Sequence, residues 1–305
     1  MTNPIAQQLL VLTGPTASGK SALGLELAER HGCEILSMDS MAVYRRMDIG
    51  TAKPDAAQRA RARHWLIDLV EPSESFDTSR WCAAADAKIA EVRARGRIPL
   101  VVGGTPLYLL SLQKGMVAGA PADPALRARL VERERAEPGA LHEELLGRDP
   151  EAAARIHRND EKRLVRALEV MALTGQRLSD VQSQWAAEGA RYDAAIVALA
   201  VPREELHARI KTRTQAMLAQ GLVEETRAIE GSCGFSREAG AAIGYAQCRN
   251  WLAGRLKDEE ELRNMIRRAT HALVRRQMTW LRRMREIRWL PAAATVADLE
   301  AAFAC

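Results

Sequence analysis

The sequence predicts an α/β chain in which a parallel sheet is flanked by helices and interrupted by a helical insertion. Three observations predict it. Short apolar runs alternate with longer amphipathic stretches, which is the pattern of βαβ units. A glycine-rich loop, Gly14-Pro15-Thr16-Ala17-Ser18-Gly19-Lys20-Ser21, follows the first apolar run and opens a helix. From about 117 to 189 strand signals cease, and Ala, Arg and Glu recur at helical spacing.

Leu9–Thr13 reads as a buried strand because it is a continuous apolar run ahead of a turn. Lys20–His31 reads as a helix, with Leu23, Leu27 and Ala28 on one face. Cys33–Met38 is the second strand and ends at Asp39-Ser40. Met41–Pro54 is too irregular for helix or strand, so an ordered loop is expected. His64–Val70 reads as a third short strand, and Ser79–Arg95 as a helix stopped by Gly96. Ile98–Val102 is the fourth strand and leads into Gly103-Gly104-Thr105. The insertion holds helices at Asp123–Arg135, Pro138–Leu146, Pro150–His157 and Asp160–Leu173. Ala194–Val201 restores the sheet, and Arg203–Gln220 leads away from it as a helix. The chain then stays mostly helical to about Arg285, before a last strand at Ile287–Leu290. The domain division expected is 1–116 with 190–305 as the catalytic core, and 117–189 as the insertion.

The chain has 305 residues, 47% hydrophobic and 27% charged, which is enough for a sizeable core. Its net charge of +5 and pI of about 9.1 hint at a polyanionic partner. Cysteines at 33, 82, 233, 248 and 305 form no C-x-x-C pair. Reduced thiols in the cytoplasm are expected rather than zinc or disulfides. No apolar run reaches membrane-helix length, and the first strand begins too early to leave room for a signal peptide. No coiled-coil heptad announces a dimer, so a monomer is expected.

Gly14, Gly19, Lys20 and Ser21 have the spacing of a phosphate-binding loop, and the strand before and helix after complete its context. The sheet is therefore expected to be P-loop NTPase-like. The glycines let backbone N–H groups turn toward phosphate oxygens, Lys20 supplies a point charge, and Ser21 suits Mg²⁺. In parallel sheets ligands gather at the C-terminal strand ends, where Asp39, Thr105 and this loop all fall. Asp39 there suits three roles: accepting a proton from a nucleophile, holding Mg²⁺ through water, or capping the next helix. Gly103-Gly104-Thr105 brings a hydroxyl near the anion, or is a plain turn. Arg213 reaches a diphosphate or lies on a solvated helix face. Residues 263–288 carry nine arginines against one acid, Glu286, with Trp280 and Trp289 beside them. The run is a surface for RNA phosphates or a solvated face. Gly244-Tyr245 offers an aromatic face for stacking on an unpaired base, or packs internally.

Longer strings carry more information. Asp39-Ser40 with Val43-Tyr44-Arg45, then Met47-Asp48-Ile49-Gly50-Thr51-Ala52-Lys53-Pro54 and Val102-Gly103-Gly104-Thr105, follow the phosphate loop in order. So do Asn159-Asp160 with Arg163, Arg166-Ala167-Leu168-Glu169, Ile243-Gly244-Tyr245 with Gln247, and Arg275-Arg276-Gln277 with Thr279-Trp280-Leu281. Over about residues 9–290 the chain resembles the bacterial-type tRNA dimethylallyltransferases, also called tRNA isopentenyltransferases. The resemblance implies transfer of a dimethylallyl group from dimethylallyl diphosphate to N6 of adenosine 37, beside the tRNA anticodon. It implies Asp39 as general base, Thr105 near the reacting centre, and residues 14–21 with Arg213 and Mg²⁺ on the diphosphate. It implies tRNA contact by Asp39, Ser40, Met41, Ala42 and Thr105, and by Arg127, Arg163, Leu164, Val165, Arg166 and Ala167. Gly244, Tyr245, Ala246, Gln247, Cys248 and Arg249 are implied likewise, and the arginine-rich string adds Arg275, Arg276 and Gln277. Ala42 replaces a common Gln of the family, and Pro106 a bulkier apolar residue. The residues alone leave open a P-loop small-molecule kinase, or an isopentenyltransferase acting on free adenylate.

Overall fold

The computed structural model describes residues 8–115, 123–187 and 189–304. Residues 116–122, where the sequence places the start of the insertion, and Cys305 lie outside the described residues. The elements run β1 (Leu9–Thr13), α1 (Lys20–His31), β2 (Glu34–Ser37), α2 (Ala56–Arg61), β3 (His64–Trp65), α3 (Thr78–Ala94), β4 (Pro99–Val102) and α4 (Pro106–Lys114). Five helices follow: α5 (Pro124–Ala136), α6 (Ala140–Arg148), α7 (Pro150–Arg155), α8 (Glu161–Thr174) and α9 (Leu178–Ala187). The chain returns with β5 (Ala194–Ala200), α10 (Arg203–Ala219), α11 (Leu222–Ser232), α12 (Arg237–Gly240), α13 (Tyr245–Leu252), α14 (Glu259–Leu281), β6 (Ile287–Pro291) and α15 (Val296–Ala304). Two compact units result, Met1–Gln113 with Tyr192–Cys305, and Lys114–Arg191.

In the first unit the six strands pair in parallel in the order β3-β2-β4-β1-β5-β6. β1 is central, paired to β4 at Leu10↔Leu100 and to β5 at Leu10↔Ala195. All five β1 residues are buried, as a sheet covered on both faces requires. Alternate side chains feed two cores. Leu9, Val11, Leu36, Val101 and Ile196 face α3 and the C-terminal helices, where Trp81, Ile89, Leu222 and Leu262 are buried. Leu10, Leu12, Ile35, Leu100 and Val197 face α1 and α15, against Leu27, Leu299 and Phe303.

The third strand is shorter than the sequence suggests. His64–Val70 has only His64–Trp65 in the ladder, plus an isolated bridge from Val70 to Tyr44. Leu66 and Asp68 sit at φ 62° and 55°, where a strand cannot continue. The short helices α2 and α4 and the closing α15 carry sequence signals too brief to stand out.

The second unit is helical and has its own core, with Leu141, Leu145, Leu164, Ala167 and Leu168 at its centre. Three of its helix starts are capped by aspartates: Asp123 on Leu126 N, Asp149 on Ala152 N and Asp160 on Arg163 N. Asp149 is fully buried and also accepts from Ser179 N at 2.8 Å, so one carboxylate ties α7 to α9.

Candidate active site

The phosphate loop joins β1 to α1 and is braced from three directions. Gly14 and Gly19 take φ of 142° and 95°, and Ala17 takes 65°. A Cβ on Gly14 would also stand 3.3 Å from Leu199 N of β5. Arg209 of α10 donates to the carbonyls of Ala17 (3.2 Å) and Ser18 (3.0 Å), while Glu205 holds its other nitrogen. Lys20 Nζ donates to Pro15 O at 3.0 Å. Gln277 of α14 accepts from Thr16 N at 3.0 Å and donates to Gly104 O at 2.6 Å, so it clasps the loop to the end of β4. The first turn of α1 aims its unpaired N–H groups and positive dipole end at the loop. Ser18 Oγ is buried there without a hydrogen-bond partner.

Beside the loop, β2 delivers Asp39 and β4 delivers Thr105. Asp39 Oδ1 accepts from Met41 N at 2.8 Å and Ala42 N at 3.3 Å, which fixes the carboxylate and leaves its second oxygen for other use. Thr105 N donates to Met38 O, and Thr105 Oγ1 accepts from Ser40 N at 3.2 Å. A hydroxyl that accepts still has its own hydrogen to donate. Gly103 permits this crossing, since a Cβ would lie 2.1 Å from Met38 O.

Asp39, Ser40, Met41, Thr105, Thr16, Arg213, Gly244, Arg276 and Gln277 line one cavity of about 450 Å³. Ile210, Met217, Ala242, Ile266 and Leu273 give it an apolar wall. Burial pushes the Lys20 ammonium down to about 8; Asp39 opposes this and Arg213 adds to it. Burial likewise holds the Arg213 guanidinium below its ordinary range, with Asp39 opposing. Lys20 and Arg213 thus stand against Asp39, with Arg276 and Glu238 also on the cavity lining, and a bound anion would relieve the excess positive charge. The oxygen donors of Ser21 and Asp39 fit Mg²⁺, which takes one or two protein oxygens and completes its shell with phosphate and water. Among the described residues no cluster of three His, Cys, Asp or Glu forms a metal cage.

Other residues singled out by sequence fall elsewhere. Tyr245 is fully buried and its hydroxyl donates to Glu225 at 2.5 Å, so it has no face to stack on a base. Ala42 and Cys248 are buried too, and Leu164, Val165 and Ala167 belong to the core of the helical unit. Gln277 is buried as well; its bonds brace the phosphate loop, and it lines the cavity beside Thr16. Arg163 is open to solvent. Arg127 and Arg166 are half-exposed and converge on fully buried Glu169, at 2.8 and 2.6 Å. Arg275 and Arg276 are exposed on α14, while Arg249 pairs with Glu230 and Gln247 caps Gly244 N. Ala246 is half-buried. Pro15 and Ser21 complete the loop, Ser21 exposed. Arg209, Glu225 and the apolar wall carried no sequence signal, because each acts through partners far along the chain.

The IPP transferase family model matches residues 42–284. A tRNA dimethylallyltransferase of Anaeromyxobacter dehalogenans is 49% identical over 285 residues, covering 93% of this chain and 94% of its own length. That of Halorhodospira halophila is 47% identical over 92% and 91%. The tRNA isopentenylpyrophosphate transferase of Bacillus halodurans superposes with a TM-score of 0.72 at 33% identity, covering 97% of this chain and 94% of its own. A eukaryotic dimethylallyltransferase described as acting on tRNA superposes with a TM-score of 0.80 at 25% identity, covering 94% and 74%. With the phosphate loop, Asp39 and Thr105 gathered on one rim and these relatives spanning nearly its full length, the chain belongs to the IPP transferase family, the prenyltransferases of tRNA dimethylallyltransferase type.

Proposed function

We propose that the chain moves a dimethylallyl group from dimethylallyl diphosphate to N6 of adenosine 37 in the tRNA anticodon loop, releasing diphosphate. The observation that carries this reading is that one cavity gathers Asp39, Thr105, Thr16 of the phosphate loop and Arg213 with an apolar wall. Lys20 is buried and interacts electrostatically with Asp39 and Arg213. A diphosphate with a five-carbon allylic tail and an incoming purine need that mixture. The relatives' activity supports the tRNA substrate.

The chemistry is a substitution at an allylic carbon. The bond from C1 to the diphosphate oxygen breaks, the N6–C1 bond forms, and one N6 proton leaves to Asp39. Positive charge at C1 is delocalised over the allyl group, so the barrier lies in stabilising the departing anion and aligning a weakly nucleophilic amine. Lys20, Arg213 and the loop N–H groups meet the anion. Asp39, fixed by Met41 N and Ala42 N, presents its second oxygen to the amine. Thr105 donates its hydroxyl hydrogen within the same cavity. Ser21 would hold Mg²⁺ at the phosphate loop, and the metal would supply further neutralisation of the diphosphate. The base must leave its stack, which costs about a few kcal/mol and less in a loop than in a duplex. Exposed Arg163, Arg275 and Arg276 and the half-exposed Arg127 and Arg166 offer phosphate contacts.

The test is incubation with dimethylallyl diphosphate, Mg²⁺ and unmodified tRNA, followed by mass analysis of the nucleosides. Prenylated adenosine at position 37 is expected. Prenylation of free adenylate in preference to tRNA, or ATP-dependent phosphorylation without prenyl transfer, overturns the reading.

A further inference from the structure

One wall of the cavity is held by an acid from a distant part of the chain. Gly50 and Thr51 line the cavity with Asp39, Ser40 and Met41. The loop they belong to presents three consecutive N–H groups to Glu225 of α11: Asp48 N at 3.1 Å, Ile49 N at 3.0 Å and Gly50 N at 3.4 Å. Tyr245 Oη donates to the same carboxylate at 2.5 Å and accepts from Gly50 N at 3.2 Å. The approach is so close that a Cβ on Gly50 would stand 2.3 Å from the Tyr245 ring. The other end of the loop is pinned by Lys53, whose side chain is 1% exposed. Its Nζ donates to Tyr44 O at 2.5 Å, Asp48 Oδ1 at 2.7 Å and Asp68 Oδ1 at 2.6 Å. Thr51 Oγ1 closes the turn on Met47 O at 2.6 Å.

We propose that Glu225 is a positioning residue of the transfer: its carboxylate, seated on the N–H groups of 48–50 and shared with Tyr245, fixes the Gly50–Thr51 wall and so aligns the acceptor against Asp39. The inference rests on the transfer reaction proposed above. Only a carboxylate serves here. Its two oxygens have lone pairs for three N–H groups and a phenol, and its charge strengthens each bond. A glutamine keeps the shape but must turn an N–H₂ toward donors. The diphosphate side of the cavity is braced separately, by Arg209, Lys20 and Gln277. Loss of Glu225 should therefore act on alignment and spare the anion.

The experiment compares the unaltered chain with Glu225→Gln and Tyr245→Phe in three measurements. These are the binding of dimethylallyl diphosphate, the single-turnover rate of transfer to tRNA, and amide hydrogen exchange across residues 47–54. Glu225→Gln is expected to bind the diphosphate within about twofold of normal, to transfer about tenfold or more slowly, and to exchange the amides of 48–50 faster. Tyr245→Phe is expected to move in the same direction by less. A normal transfer rate in Glu225→Gln overturns the proposal, and so does a loss of diphosphate affinity as large as the loss of rate. Should Glu225→Gln fail to fold, Tyr245→Phe decides by the same criteria. If the unaltered chain transfers nothing to tRNA, the proposed function itself falls before any variant is read.

Discussion

Asp39 was legible from its place at the end of an apolar run, and the structure adds how it is held. Two backbone N–H groups fix one oxygen, so Asp39→Asn keeps the shape and removes the proposed proton acceptor. Single-turnover transfer should fall by about 10²–10⁴-fold while tRNA affinity stays near normal, as read by filter binding. A second expectation concerns Lys20. Its pKa of about 8 lies below the ordinary 10.5, so it is partly neutral in mild alkali. An anion favours the charged form and raises this pKa on binding. Affinity for dimethylallyl diphosphate should be full below about pH 8 and weaken by up to about tenfold per pH unit above it. Fold stability moves the other way. Between about 8 and 10.5 the unfolded chain carries the extra proton, so the Lys20 contribution to stability rises as pH rises through that window. What sequence could not give is who faces whom. Gln277 contacts Thr16, and Glu225 contacts Gly50, across most of the chain length. Tyr245 stayed open between stacking and packing for a related reason: a lone aromatic looks the same in sequence whether it is buried, as here, or exposed.

Among the elements, those with strong periodicity were readable and those set by tertiary contact were not. β1, β4, β5, α1, α3 and α10 follow from apolar runs and helical spacing near the expected bounds. β3 breaks at Leu66, where Leu66 and Asp68 take left-handed φ values that no propensity foretells. α15 is short, yet Leu299 and Phe303 fill the outer face of the sheet beneath it. Phe303→Ala should cost about 3–5 kcal/mol if the helix stays docked, and less if the terminus frays; chemical denaturation reads the difference. Gly103 sits where β4 passes the end of β2. Gly103→Ala puts a methyl 2.1 Å from a backbone oxygen that cannot step aside. It should displace Thr105 and lower transfer more steeply than diphosphate binding, as separate kinetic and binding assays would reveal.

For the molecule as a whole, the net charge of +5 and the exposed arginines of α14 predict an RNA affinity carried largely by phosphate contacts. Binding of tRNA should drop by about tenfold to a thousandfold between roughly 50 and 200 mM salt, and titration at several salt concentrations checks it. A flat response would leave those arginines without that role. Sequence did show that a strand-free stretch interrupts the α/β pattern, since helical spacing without β-rich runs is a long-range signal. The first unit is consequently stitched from two separated lengths of chain, and its central strand β1 needs β5, which begins at Ala194, as a neighbour. That stitching matters on the ribosome. A nascent chain ending before Ala194 leaves one flank of β1 unzipped, an open seam of apolar residues and unmated amides that invites mispairing. Synthesis must therefore run through the whole helical unit before the six-stranded sheet can close, and until then the growing polypeptide carries that open seam.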